Sequence, residues 1–157
     1  MRLGFALAFG VWFLAALQES LAPRIAIGAG VPDFLIAFIT VASLYCTPMG
    51  SAWLGFASGA TFGALAGANL TGYAISRMFG GLAATGFNNL GFKPSPVMMM
   101  ANAAATTTIS QILLFFLAPP PDIGRFLAAT IISAMYNGVL AMPLYALLNR
   151  IQPVPTR

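Results

Sequence analysis

The chain has 157 residues, 59% of them hydrophobic and 6% charged, with a mean hydropathy of +0.88. A soluble domain carries about a quarter charged residues, so seven basic and three acidic side chains cannot cover this one in water; an integral membrane protein without a separate soluble domain is expected. The basic residues Arg2, Arg24, Arg77, Lys93, Arg125, Arg150 and Arg157 are scattered singly, as boundary anchors are, which excludes a nucleic-acid surface, and a single cysteine without histidine excludes an internal disulfide and a transition-metal site.

Cutting at turn residues and charges leaves six apolar segments, 3–21, 25–46, 51–68, 72–90, 97–118 and 126–149, each near the roughly 17–25 residues a helix needs to cross hydrocarbon. The first follows Arg2 and reads as a retained span, since no small-residue cleavage signal follows it. The second is interrupted by Gly28, Gly30 and Pro32, and its continuous run FLIAFITVASLY starts only at Phe34, with Asp33 placed to cap that helix. Cys46, at its end, reads as a small buried apolar residue.

The third segment, GFASGATFGALAG, sets Gly55, Gly59, Gly63 and Gly67 at four-residue spacing, a groove without side chains that another helix must cover. The fourth carries a related stripe, Gly72, Ser76, Gly80 and Ala84, ending at Asn88; with only a short link between them, the two are expected to bury these stripes on each other, an external helix being the other occupant considered. Arg77 lies inside the fourth segment, where snorkelling to the interface is the cheaper expectation and pairing with Glu19 or Asp33 the other.

The fifth segment, MMMANAAATTTISQ, places Asn102, Thr106, Ser110 and Gln111 at intramembrane depth. Thr106 and Ser110 are expected to bond their own carbonyls one turn back, and Asn102 and Gln111 to reach other helices, as interhelical bonding or as a pocket lining. The last, YNGVLAMPLYALLNR, combines Asn137, Gly138 and Pro143; Pro143 predicts a kink and Asn137 a polar partner.

Glu19, Asp33 and Asp122 all lie near segment ends, and no elbow, phosphate loop or paired carboxylates occur, so no catalytic, metal or cofactor site is expected. Six spans put both termini on one side, with Arg2, Lys93, Arg150 and Arg157 there, which favours cytoplasmic termini.

The runs VPDFLIAFITVASLY, GFASGATFGALAGANLTG and YNGVLAMPLYALLNR, in that order and covering Val31 to Arg150, resemble the rod shape-determining MreD family. The matching positions are Pro32 and Asp33, then Gly55, Phe56, Gly59 and Gly67, then Asn137 and Pro143. One departure is Gly63, where the family often has an aspartate. The resemblance implies an inner-membrane scaffold of the cell-wall elongation machinery. It would bind the single-span protein MreC and through it the MreB filament, the RodA glycan polymerase and a class B penicillin-binding protein, in contact with membrane lipid. It also implies a six-transmembrane-helix bundle similar to the substrate-binding subunits of energy-coupling-factor transporters, which leaves a vitamin-binding subunit as the alternative.

Overall fold

A computed structural model describes residues 2–154, the side chains of Arg2, Leu3 and Ala6 apart; those of Arg2 and Arg157, part of the charge bias above, lie outside the described residues. The fold is all-helical: α1 (Arg2–Ser20), α2 (Phe34–Ala42), α3 (Pro48–Leu65), α4 (Leu70–Asn88), α5 (Pro96–Leu117) and α6 (Ile123–Ile151), with a 3-10 turn at Ala22–Ile25. Among the described residues the sole β-type pairing is an isolated bridge between Ile27 and Gly30.

Each start is written in the sequence. Thr47, Asn69, Ser95 and Asp122 accept from the backbone N–H three residues on, and Pro48 and Pro96 open their helices where no amide is needed. The α3–α4 link turns on Gly67, whose φ of +57° only glycine adopts without strain. α6 runs unbroken through Pro143.

Two helices, α5 and α6, are long and apolar enough to cross a membrane. α3 and α4 have the length but carry glycine and serine where a lipid-crossing helix usually has leucine. The second segment departs most from expectation. Instead of a helix over 25–46 it holds a nine-residue α2, about 13 Å long at 1.5 Å per residue, which ends at Ala42 where Ser43 bonds the Thr40 carbonyl (2.6 Å). All nine residues of α2 are buried, packed with Leu14, Ala15 and Ala22 on one side and with Met99, Ala103 and Ala141 on the other. Cys46, expected to be buried, is half-buried in the link to α3.

The glycine groove of α3 is closed by α4. A Cβ at Gly55 would overlap the Arg77 carbonyl, at Gly59 that of Tyr73, and at Gly63 the Leu70 backbone, so these positions are closed to any external helix. Gly67 lies beyond the groove. The α4 stripe faces elsewhere than expected: a Cβ at Gly80 would meet Ser110 and one at Gly72 approaches Leu114, both on α5, while it is Gly81 that meets α3, at Ser51. Adjacent Gly80 and Gly81 give α4 two side-chain-free faces, one for each neighbour.

Candidate functional site

The stretch between the 3-10 turn and α2 enters the bundle without helical hydrogen bonds, and a buried, unpaired backbone group costs about 1–3 kcal/mol. Side chains from other elements supply the missing partners. From α1, Gln18 donates to the Pro32 carbonyl and accepts from the Phe34 amide, both at 2.9 Å. From α6, Ser133 donates to the Val31 carbonyl (2.9 Å), Tyr136 to the Ile25 carbonyl (2.7 Å), and the Asn137 Oδ1 accepts from the Asp33 amide (2.7 Å).

Asp33 sits at the centre. Its Oδ1 caps α2 by accepting from the Ile36 amide (3.0 Å), as expected. Its Oδ2 pairs with Nη2 of Arg77. Arg77 therefore does not snorkel: it is 2% exposed, held between the carboxylate and the Phe62 ring, whose centroid lies 4.2 Å from the guanidinium carbon. Of the two expectations for Arg77, pairing with Asp33 is the one the structure shows, and it buries both charges. Nη1 of the same guanidinium has no partner among the described residues.

Asn137 extends the node. Its amide donates to Thr107 on α5 (3.0 Å), which in turn donates to the Ala103 carbonyl (2.7 Å). Asn137 is fully buried, and Gly138 beside it lets Met100 of α5 approach.

A second polar chain ties α4, α5 and the end of α2. Asn102 donates to the Ala84 carbonyl (3.0 Å) and to Asn88 (2.8 Å), and Asn88 donates to Ser43 (2.7 Å). Thr106 bonds Asn102 instead of its own carbonyl one turn back (3.1 Å), a bond that Thr107 and Thr108 make in its place. Ser110 and Gln111 do not join: the Ser110 hydroxyl lies against Gly80, and neither it nor Gln111 Oε1 has a partner among the described residues.

The structure thus joins Pro32, Asp33 and Asn137, separated by more than a hundred residues, and leaves the other motif positions outside the node. Gly55, Gly59 and Gly63 pack on α4, Phe56 faces outward edge-on to Trp53, and Pro143 lies further along α6. Gln18, Thr107, Ser133 and Tyr136 are the members that sequence reasoning missed. Of the other acids, Glu19 is exposed and Asp122 caps α6. Among the described residues no three His, Cys, Asp or Glu side chains group together. The chain matches no family model, no curated protein and no solved structure.

Proposed function

We propose that the chain is a non-catalytic scaffold of the MreD type, crossing the bacterial inner membrane six times with cytoplasmic termini and serving the cell-wall elongation machinery. The observation that carries the reading is the Asp33–Asn137 bond: two of the motif positions on which the resemblance rests meet in one buried junction, as residues that define a fold would. Membrane residence is supported by the inverted distribution of side chains. Phe5, Trp12, Phe116 and Met135 are all more than two-thirds exposed, while Arg77, Asn102, Thr107 and Asn137 are at most 2% exposed, the arrangement that hydrocarbon solvent favours.

In this reading the second crossing is made by irregular chain and the short α2 together, which a bilayer tolerates because that backbone is enclosed in protein. On α5, Asn102 bonds across to α4 and Thr107 across to α6, which supports a scaffold over the vitamin-binding alternative. With the glycine groove closed, a partner's single membrane helix is left the trough of about 450 Å³ between α1 and α3, lined mainly by alanines with Val11, Trp12 and Leu65, and by Thr61 and Glu19.

Affinity purification from bacterial membranes in mild detergent tests this. A co-purifying single-span protein with a periplasmic domain, lost on Ala16→Trp, is the expected result, together with rounding of rod-shaped cells on depletion. A stoichiometric vitamin in the purified protein, with no such partner, would refute it.

A further inference from the structure

A cavity of about 550 Å³ opens at the end of the bundle where α4 stops, α5 begins and α6 finishes. It lies apart from the Asp33 node, and Asn88 of the second polar chain is part of its lining. Its walls are apolar at Leu44, Phe92 and Val154, and Lys93, Asn149 and the backbone of Gly91 to Lys93 bring N–H donors to its lining. Lys93 carries the only charge among its described lining residues. Asn149 has its Oδ1 occupied by the Val154 amide (3.1 Å), so its Nδ2 is the free end. The backbone amides of Gly91, Phe92 and Lys93 make no hydrogen bond among the described residues. The positive φ of Gly91, +84°, turns this run back towards the bundle. No carboxylate lines the cavity among the described residues: Glu19 lies near the end of α1, Asp122 caps the start of α6 and Asp33 is held by Arg77.

We propose that this cavity binds a phosphate group carried on a glycerol-sized, partly apolar molecule. One ammonium surrounded by neutral N–H donors matches a singly charged phosphodiester, whose non-bridging oxygens accept from several directions. The volume is within the range of small-molecule sites. The apolar walls give the ester's carbon chain an apolar surface, of which Phe92 is about 60% exposed. The carboxyl ends of α4 and α6 oppose an anion and the amino end of α5 favours it, so recognition depends on Lys93. An anionic phospholipid is one source of this chemistry, and it rests on the membrane reading above; a soluble phosphate ester is the other.

Native mass spectrometry of the detergent-solubilised full chain separates these. With phosphatidylglycerol as probe, retention at least tenfold above phosphatidylcholine is expected, falling about tenfold in Lys93→Gln, kept in Lys93→Arg and unchanged in Arg125→Gln at the opposite end. Glycerol 3-phosphate binding with the same Lys93 dependence, and no phosphatidylglycerol preference, would assign the site to a soluble ester. If Lys93→Gln binds both probes as the wild type does, the site is refuted. Partition of the protein into the aqueous phase on detergent phase separation would instead refute the membrane reading and leave the glycerol 3-phosphate arm standing.

Discussion

The carboxylate of Asp33 does two jobs that substitutions separate: it caps α2 and it neutralises Arg77. Asp33→Asn keeps an oxygen for the Ile36 amide but leaves a guanidinium buried without its counter-charge, which costs about 3–5 kcal/mol. Removing both charges, in Asp33→Asn with Arg77→Met, is expected to recover most of that loss, because methionine fills the space beneath Phe62 without needing hydration. Thermal unfolding in detergent, read by size-exclusion fluorescence, should rank the single Asp33→Asn variant well below the double. Equal losses in the two would show that the pair is not coupled. Gln18 shows why such a node is hard to read from sequence. Followed by Glu19 and Ser20, it looks like the polar edge of a span, and nothing local reveals that backbone groups at Pro32 and Phe34 take both ends of its amide.

At the scale of elements, the contact between α3 and α4 depends on backbone lying against backbone. A methyl group at Gly59 has no room beside the Tyr73 carbonyl, so Gly59→Ala should destabilise by about 1–3 kcal/mol, the usual cost of overpacking. Gly86, also on α4, is the contrasting case, with open space where a methyl group would stand. There, Gly86→Ala should stabilise by up to about 1 kcal/mol through helix propensity alone. Finding Gly59→Ala as stable as the wild type would remove the packing argument. The four-residue spacing and the short link made the α3 face and its neighbour legible. The α4 stripe misled because Gly80 and Gly81 open two faces, and spacing along one helix does not say which neighbour meets which face. The break at Gly28, Gly30 and Pro32 was legible too, but the shortness of α2 was not, since its end at Ala42 depends on Ser43 being held by Asn88 from another helix.

For the whole molecule, the bonds between Asn88 and Ser43, Thr85 and Ser51, and Tyr145 and Pro94 gather the end of α2, the start of α3, the end of α4, the start of α5 and the end of α6 at one pole. The α5–α6 link, with Asp122, lies at the other. Within the proposed six crossings, cysteines introduced singly as Pro121→Cys and Gln152→Cys, on a Cys46→Ala background, should react with a membrane-impermeant maleimide from opposite sides in intact cells and inverted vesicles. Labelling of both from one side would overturn the crossing count. Composition made the all-helical class legible, and α5 and α6 are the helices whose length and mean hydropathy together suit a membrane crossing. α3 and α4, equally expected as spans, fall short of that mark, since the small residues that let helices touch are weakly hydrophobic.

The short α2 also sets an order of events during synthesis. Its entry is completed by Ser133, Tyr136 and Asn137, which emerge about a hundred residues after the backbone groups they satisfy. Until then those groups lack these partners, since Gln18 is taken by Pro32 and Phe34, and the loop that must close is long. The chain from Pro23 to Asp33 is therefore expected to settle only after α6 has been made, and a chain stopped before Ile123 would leave these backbone groups without their partners while α2 still packs on α1.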